Sequence, residues 1–276
     1  GDAVYTAKTP CLDHLQKIHP WDLLKAHGTS GGMPSDGDMG NSEVGHNAMG
    51  AGRVFSQGAK LVQNAIQDSS IWDSSTWKEV CTRKTLHLLG LLSDGNVHSH
   101  IDHLCALINR AAHEEIERVW VHILTDGRDV DPKSAQGYIK TLEETLAQHG
   151  PQYAIATGGG RMWITMDRYE ADWEMVRRGY ECHVRAQGPR FSSAEEAIAH
   201  FYEADPNVDD QWIPSFVVGD YNGMKDNDAV IFFNFRGDRA IEISRALEET
   251  EFPHFDRPEH PSLYYAGMME YDGDLH

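Results

Sequence analysis

The stretch that decides the fold is Leu86-His87-Leu88-Leu89-Gly90-Leu91-Leu92, which runs directly into Ser93-Asp94-Gly95-Asn96-Val97-His98-Ser99-His100. A short apolar run bounded by turn-forming residues predicts a strand that is buried on both faces. Apolar residues then recur at helical spacing, at Leu104, Leu107, Ile108 and Ala111. A buried strand followed by an amphipathic helix is the repeating unit of a parallel sheet with crossover helices.

The same alternation continues along the chain. It predicts further strands at residues 119–124, 153–157 and 229–233. It also predicts helices at about residues 133–148, 169–178 and 239–248. The sequence therefore predicts the α/β class, with a parallel-type sheet and crossover helices.

Two regions depart from this alternation. Residues 1–60 give few strand signals and are rich in glycine from 28 to 58, with helices predicted at 13–27 and 59–67. Residues 188–222 contain several prolines and an acidic run at 204–210. Such a composition predicts a solvated excursion from the fold.

The charge balance excludes two classes of partner. The chain has 276 residues, with 43 acidic and 24 basic side chains and a formal net charge of −19. A surface this acidic repels the phosphates of nucleic acids and of anionic lipids. No apolar run approaches the roughly 20 residues that a membrane-spanning helix needs. We therefore expect neither a nucleic-acid nor a membrane partner.

The termini and the cysteines bear on location and completeness. The start, Gly1-Asp2-Ala3-Val4, lacks the basic and apolar regions of a signal peptide. The four cysteines are far apart and form no Cys-x-x-Cys pair, which favours buried free thiols in a reducing cytosol. The chain does not begin with Met, and 272–276 form no closing element. We therefore expect a cytoplasmic protein that is truncated at both ends.

Cationic and glycine residues follow four of the predicted strands. Because ligands bind outside the carboxyl ends of parallel strands, these residues are candidates for a site. Arginine binds carboxylate and phosphate through two hydrogen bonds, so five arginines on one rim would attract a small, multiply charged anion. The candidates are His98, Arg128, Asp129, Arg161, Arg168, Arg236 and Arg239.

Each candidate also has a simpler explanation. A single arginine here could form a surface salt bridge, and His98 could be an ordinary loop histidine. Asp129 could align Arg128, accept a substrate hydroxyl, or cap the helix that follows. Ser42 lies between Gly40 and Gly45 at a predicted helix start, where it could act as a nucleophile or as the N-cap residue. A Ser-His-Asp triad has no signature in this sequence.

Eight segments that run nearly end to end carry a resemblance to a known family, at 7–10, 39–46, 50–54, 91–100, 126–130, 166–168, 234–239 and 271–275. Together they resemble the cofactor-independent (2,3-bisphosphoglycerate-independent) phosphoglycerate mutases of the alkaline phosphatase superfamily. The form at 158–169 resembles the plant and trypanosomatid branch of that family.

The resemblance implies a reaction and a site. Ser42 would accept the phosphoryl group of 3-phosphoglycerate as phosphoserine and return it to give 2-phosphoglycerate, in glycolysis and gluconeogenesis. The seven rim residues named above would bind the substrate. Residues 1–56 would be the N-terminal part of an alkaline-phosphatase-like α/β domain, and 57–276 an inserted transferase domain. The protein would be a monomer.

The resemblance also implies two divalent metal ions (manganese, magnesium or cobalt) and no 2,3-bisphosphoglycerate. Of the family's metal ligands only Ser42 is present in this sequence. Two alternatives stay open. One is a metal-dependent phosphatase or a phosphosugar mutase of the same superfamily, and the other is a non-catalytic anion-binding domain.

Overall fold

A seven-stranded sheet forms the centre of the protein, whose computed structural model describes residues 2–54 and 56–271. Within these ranges the strands are β1 (Thr85–Leu92), β2 (Arg118–Thr125), β3 (Tyr153–Gly160), β4 (Arg190–Phe191), β5 (Phe216–Val218), β6 (Ala229–Phe232) and β7 (Tyr264–Gly267). Their order is β4-β5-β3-β2-β1-β6-β7, and every pairing is parallel except that of β3 with β5. The predicted α/β class is confirmed.

The described ranges contain ten α-helices. They are α1 (Ala3–Thr6), α2 (Pro10–Ile18), α3 (Ser42–Ala51), α4 (Gly58–Gln67), α5 (Ser75–Val80), α6 (Ile101–His113), α7 (Ala135–Ala147), α8 (Trp173–Arg185), α9 (Ala194–Ala204) and α10 (Ile241–Glu248). None of them, among the described residues, has the length and apolar character that a membrane crossing requires. The four cysteines are free, as predicted, but the prediction that they are buried holds only for Cys182, since Cys11 is exposed and Cys81 and Cys105 are partly buried. The closing stretch 272–276 lies outside the described residues.

Strand β1 is apolar along its length because both of its faces are covered. It lies between β2 and β6, with Leu86 opposite Val119 on one side and Ala229 on the other. Leu86 and Leu88 pack into one hydrophobic cluster, and Leu89 and Leu91 pack into the cluster on the opposite face. Successive side chains of a strand point to opposite faces, so a two-sided core needs a continuous apolar run.

The predicted helix at 169–178 begins later and runs further, as α8. Tyr169 and Glu170 have φ angles of 62° and 55°. Residues in the left-handed region do not continue a right-handed helix. Asp172 instead caps the helix, its side chain accepting hydrogen bonds from the backbone N–H groups of Glu174 and Met175 at 3.1 and 3.2 Å.

The prediction of a solvated excursion at 188–222 was wrong. This segment contributes β4, β5 and α9, and it buries Phe216 completely. Strand β5 packs closely against β3, where a Cβ on Gly158 would lie 2.3 Å from the ring of Phe216. Glycine is therefore required there, and β3 extends to Gly160 beyond its predicted end at 157.

Of the two helices predicted in the N-terminal region, the structure confirms one and changes the bounds of the other. The helix at 59–67 is confirmed as α4. The helix predicted at 13–27 is wrong in its bounds, because α2 ends at Ile18, two residues before Pro20. A proline within the helix would remove a backbone donor, and it disfavours the helical conformation of the residue before it.

A chain of buried polar side chains crosses the sheet, and the sequence analysis did not foresee it. His87 joins Asp228 at 3.1 Å and His122 at 2.9 Å. His122 lies 2.7 Å from the hydroxyl of Thr157, and that hydroxyl lies 2.7 Å from Nδ1 of His183. Each buried ring nitrogen in this chain has a partner, as burial of polar groups requires.

Burial keeps these histidines neutral. It lowers the pKa of His87, against the opposing effect of Asp228, and lowers the pKa of His183 to about 3. The pKa of His122 is also lowered well below its ordinary value, first by burial and then by His87 and His183. In the unfolded chain the same rings are solvated and take up protons below about pH 6.5.

We predict that acid destabilises the fold partly through His183. Since the unfolded state binds its proton first, the free energy of unfolding should fall as pH drops below about 6.5, by up to about 1.4 kcal/mol per pH unit for this one group, until its folded pKa is reached. Urea unfolding between pH 7.5 and 4.5 measures the slope. His183→Gln should make the slope shallower by that amount, and the exposed His113→Gln should not. Equal slopes in wild type and His183→Gln would contradict the prediction.

Candidate anion-binding site

A cavity of about 180 Å³ lies at the carboxyl ends of β1, β2, β3 and β6. The structure places all seven predicted binding residues around it, namely His98, Arg128, Asp129, Arg161, Arg168, Arg236 and Arg239. Met39, Gly40, Asn41, Val97 and Asp238 complete the lining. The cavity is smaller than the roughly 300–1,000 Å³ typical of pockets for drug-sized molecules, so it suits a small ligand.

Two hydrogen bonds hold the ends of β1 and β6 together beneath the cavity. Asn234 follows β6, and its side-chain oxygen accepts from the backbone N–H of Leu91 at 2.9 Å. The N–H of Phe235 donates to the carbonyl of His98 at 2.7 Å. These bonds bring the loop that carries His98 next to the turn that carries Arg236 and Arg239.

Arg161 is held by two carboxylates at the base of the site. It is almost completely buried, and its Nη1 donates to Asp126 at 2.7 Å and to Asp129 at 2.6 Å. The surface salt-bridge explanation is therefore wrong for Arg161. It is also wrong that Asp129 caps the next helix, because the N-cap residue of α7 is Ser134.

Asp126 organises this part of the site, although the sequence analysis did not single it out as a binding residue. One of its oxygens accepts from Arg161 and from the backbone N–H groups of Arg128 and Asp129, at 3.2 and 3.1 Å. The other accepts from the hydroxyl of Ser93 at 2.6 Å. Its position directly after β2 was the available signal, since that position faces the ligand side of a parallel sheet.

The segment 188–222, which was predicted as a solvated excursion, supports the loop that follows β2. Asp210 is buried, and its side chain accepts from the backbone N–H groups of Ser134 and Ala135 at 2.8 and 2.9 Å, which stabilises the start of α7. Gly127 has a φ of 64°, and a Cβ there would lie 2.8 Å from the Cβ of Asp210. The loop carrying Arg128 and Asp129 is thus fitted closely against residue 210.

Asp238 lies among the cationic groups on the other side of the cavity. Its Oδ2 lies 3.1 Å from Nη2 of Arg236 and 3.6 Å from Nη1 of Arg168. Its Oδ1 lies 3.6 Å from Nδ1 of His98. Arg239 is buried beside this group and donates to the carbonyl of Met166 at 2.5 Å.

The electrostatics of the cavity favour an anion. Burial lowers the pKa of Arg239 to about 10, and the neighbouring Arg161 and Arg168 act in the same direction. Burial also lowers the pKa of His98 well below its ordinary value, assisted by Arg161 and three other arginines. His98 is therefore a neutral imidazole at pH 7. Arginines outnumber carboxylates around the cavity, and a bound anion would relieve their mutual repulsion.

Ser42 lies beside the cavity but is not part of its lining. It is the first residue of α3, and the N-cap residue is Asn41, whose side chain accepts from the N–H of Val44 at 3.1 Å. The prediction of Ser42 as N-cap was therefore wrong by one residue. Ser42 is exposed, whereas Met39, Gly40 and Asn41 line the cavity immediately before it.

The described residues do not form a metal site. No group of three or more His, Cys, Asp or Glu side chains in residues 2–54 and 56–271 is arranged to hold a metal ion. Catalytic metal sites in proteins need several such ligands. Ser42, the one metal ligand implied by the resemblance, has no such set around it in the described part of the chain.

The fold is an α/β domain with a cavity at the carboxyl ends of its parallel strands, and the five arginines that line the cavity suit a small, multiply charged anion. The family model for the N-terminus of BPG-independent PGAM matches residues 62–273. The chain therefore belongs to the family of 2,3-bisphosphoglycerate-independent phosphoglycerate mutases.

Individual relatives agree with this assignment. A probable 2,3-bisphosphoglycerate-independent phosphoglycerate mutase of Leptospira interrogans is 53% identical over 288 residues, covering 100% of this chain and 52% of its own length. The Ricinus communis 2,3-bisphosphoglycerate-independent phosphoglycerate mutase is 48% identical, and the match covers 99% of this chain and 52% of the relative. The structure of Leishmania mexicana phosphoglycerate mutase at low cobalt concentration has a TM-score of 0.94 and 47% identity, covering 99% and 52%. The chain thus spans about half the length of these relatives.

We predict that Asp126→Ala destabilises the fold by about 3 kcal/mol, because it removes one partner of a buried charge and the acceptor for two backbone N–H groups. The expected loss lies at the low end of what breaking a buried ion pair usually costs, because Asp129 still pairs with Arg161. Equilibrium urea unfolding measures the change. As a control, Glu79→Ala breaks the partly exposed Glu79–Arg83 pair and should cost less than about 1 kcal/mol. A similarly small loss for Asp126→Ala would contradict the prediction.

Proposed function

We propose that this chain carries the substrate cleft and the nucleophile of a phosphoglycerate mutase that interconverts 3-phosphoglycerate and 2-phosphoglycerate in glycolysis and gluconeogenesis. The observation that carries the proposal is the convergence of five arginines and a neutral histidine on one small cavity. The names of the relatives, all phosphoglycerate mutases, support the choice of substrate.

The charges of the substrate match this cavity. Phosphoglycerate carries a carboxylate and a phosphate, and each suits bidentate binding by a guanidinium group. We assign His98, Arg128, Asp129, Arg161, Arg168, Arg236 and Arg239 to substrate binding. Holding the substrate by several arginines keeps it in place between two half-reactions, which is the positional contribution that such a transfer needs.

Ser42 would carry the phosphoryl group between the two oxygens of the substrate. Its hydroxyl oxygen would attack phosphorus, and the bond from phosphorus to the substrate oxygen would break. The proton lost by Ser42 is balanced by the proton that the departing glycerate oxygen gains. The other glycerate hydroxyl would then attack phosphorus, and the bond from phosphorus to the Ser42 oxygen would break. The proton lost by that hydroxyl balances the proton that Ser42 regains. Ser42 is exposed at the start of α3, where the helix N-terminus favours the negative charge of a phosphoryl group.

We also propose dependence on two divalent metal ions, manganese, magnesium or cobalt, and none on 2,3-bisphosphoglycerate. The similar Leishmania mexicana enzyme was crystallised at low cobalt concentration, which supports a divalent ion in the family. Metal ions at such a site stabilise the charge of the transferring group. The described residues form no metal site. The roles we propose for this chain are therefore substrate binding by the seven residues assigned above, which we call the arginine clamp, and phosphoryl transfer by Ser42. We also propose Ser42 as a metal ligand.

The division into domains stays a proposal, with residues 1–56 as the N-terminal part of a phosphatase-like domain and 57–276 as the transferase domain. The whole sheet lies in the second part, and Ser42 in the first. The parts meet where Met33 and Val44 pack with Ala59, Val62 and Phe235. We further propose a cytoplasmic monomer whose partner is its small-molecule substrate.

A second candidate is an anion-binding domain without catalysis of its own. One observation supports it: the seven predicted binding residues lie around one cavity, whereas the described residues include no group of three or more side chains arranged to hold a metal ion. A phosphatase or phosphosugar mutase would keep Ser42 but change the acceptor of the phosphoryl group. Measuring turnover and binding separately distinguishes these possibilities.

We predict that Arg236→Ala weakens binding of 3-phosphoglycerate by about 1.5–3 kcal/mol, the contribution of a charged hydrogen bond in a largely desolvated site. Isothermal titration calorimetry measures it. Arg118→Ala is a charge-matched control, because Arg118 begins β2 at the end of the sheet away from the cavity. If both variants bind as the wild type does, Arg236 belongs to an ordinary salt bridge and the substrate assignment loses its support.

We predict that Ser42→Ala abolishes the conversion of 3-phosphoglycerate to 2-phosphoglycerate. The prediction applies to this chain alone and to a longer protein that joins it to the part of a relative that it does not span. A ³¹P NMR time course with manganese or magnesium and without 2,3-bisphosphoglycerate follows the 2-phosphoglycerate signal. Calorimetric binding of 3-phosphoglycerate should change by no more than about twofold, since the clamp is intact. A Ser42→Ala protein with normal turnover would remove Ser42 from the mechanism.

A further inference from the structure

The loop that carries Arg168 to the cavity, residues 166–172, is fastened to helix α10. The backbone N–H of Glu170 donates to Oε1 of Glu242 at 2.9 Å. The side chain of Glu170 in turn accepts from Nη1 of Arg245 at 2.6 Å. Glu242 and Arg245 both belong to α10, so this helix holds the loop at two points. The position of Arg168 therefore depends on contacts made outside the cavity.

Glu242 is a buried carboxyl group that faces a second one. Glu242 is 4% exposed and Asp167, on the loop, is 5% exposed, and the two side chains lie within hydrogen-bonding reach of each other. Oδ2 of Asp167 accepts from the N–H of Asp172 at 2.6 Å. Oε2 of Glu242 is buried and receives no hydrogen bond from the described residues. Two carboxylates only accept, so a hydrogen bond between them requires a proton on one of the two.

The surroundings of Glu242 favour its protonated form. Burial is the largest cause and raises the pKa of Glu242 to about 7, and the charges of Asp167 and Glu170 act in the same direction, against the backbone hydrogen bond from Glu170. Below about pH 7 Glu242 therefore carries a proton that it can donate to Asp167. The charged and titratable groups nearby on α10, α8 and β7 pair with other partners, namely Arg245 with Glu170 and Glu249, Arg177 with Glu174 and Glu181, and Tyr265 with Ser244.

We propose that Glu242 is a positioning residue that holds Arg168 at the cavity by fastening the loop 166–172 with its protonated carboxyl group. Its Oε2 carries the proton and donates to Asp167, and its Oε1 accepts from Glu170, so the loop is attached to α10 on both sides of Arg168. Neither carboxyl group lines the cavity. When Glu242 loses its proton, two adjacent buried carboxylates repel each other and the loop is released. The proposal rests on the proposed function, in which Arg168 binds the substrate.

A competing explanation is that the two carboxyl groups only stabilise the fold. A purely structural contact would change the free energy of unfolding and leave the affinity of the folded protein for an anion the same. A positioning contact changes that affinity, and it does so over the pH range in which Glu242 loses its proton. Variants that keep the hydrogen bond without needing a shared proton therefore separate the two explanations.

The test compares the dissociation constants of the wild type and of Glu242→Gln for 3-phosphoglycerate, measured by isothermal titration calorimetry at about pH 6 and about pH 8.5. The glutamine amide can donate to Asp167 and accept from Glu170 at both pH values. At about pH 6 the two proteins should agree within about 2-fold. At about pH 8.5 the wild type should bind about 5-fold or more weakly than the variant, since complete loss of one charged hydrogen bond costs roughly 10-fold or more. Titration of the ligand itself cancels in the ratio of the two constants.

Two further variants complete the test. Asp167→Asn removes the other charge and keeps the hydrogen bond, because its amide can donate to an ionised Glu242, so it should behave as Glu242→Gln does. Glu248→Gln is the matched control, since Glu248 is the last residue of the same helix and is exposed. It should bind as the wild type does at both pH values.

A ratio of wild type to Glu242→Gln that is the same at both pH values overturns the proposal. If Glu242→Gln does not fold by circular dichroism, a constant ratio of wild type to Asp167→Asn overturns it instead. A pH-dependent ratio that Glu248→Gln also shows overturns it as well, because the effect would then follow from any carboxyl group on α10.

Failure of the proposed function gives a different result. In that case the wild type binds 3-phosphoglycerate at neither pH value. The backbone N–H signal of Glu170 in ¹H–¹⁵N NMR then tests the fastening without a ligand. The signal should shift with a midpoint at about pH 7 in the wild type and stay constant in Glu242→Gln. A signal that is constant in the wild type overturns the hold of Glu242 on the loop.

Discussion

The parallel pairing of β1 with β2 and β6 is the constraint on which the site depends. Parallel strands place all their carboxyl ends at one edge of the sheet, so the residues after each strand meet there. Four such segments, far apart in sequence, therefore contribute to one cavity. The pairing in turn depends on the two-sided apolar core, because a parallel sheet is stable only when both faces are covered.

A cleft rich in arginine also needs its own carboxylates. Five guanidinium groups around so small a cavity repel one another, and the burial of Arg161 and Arg239 removes the water that would screen them. Asp126 and Asp129 compensate Arg161 and fix its direction. The cleft thus remains attractive to anions within a chain whose net charge is −19, because local geometry and not total charge determines the field inside it.

Much of the fold followed from the sequence because its signals are local. The long strands β1, β2 and β3 are evident from continuous apolar runs, and the site residues follow from where those strands end. The parts of the fold that were predicted wrongly depend on contacts between residues that are far apart in the sequence. Strands β4 and β5 are two and three residues long and show no periodicity. The acidic Asp210, typical of a solvated loop, is buried where its side chain accepts hydrogen bonds from the backbone N–H groups of Ser134 and Ala135 at the start of α7. Of the three carboxylates at the site only Asp129 was predicted, because the contacts of Asp126 and Asp238 with arginines join residues that the sequence alone does not bring together.

The arginine clamp and Ser42 are supported by different parts of the structure, and this separates binding from transfer. The clamp residues lie at strand ends and are tied by hydrogen bonds to the sheet beneath them. Ser42 begins an exposed helix whose only buried anchor in the described core is Val44, packed with Met33 and Phe235. A rigid clamp gains affinity from preorganisation, because its side chains lose little freedom on binding. Under the proposed function, Ser42 at the margin of the cavity would approach the phosphoryl group without disturbing that clamp. The substrate would then stay bound by its carboxylate while the phosphoryl group changes its partner.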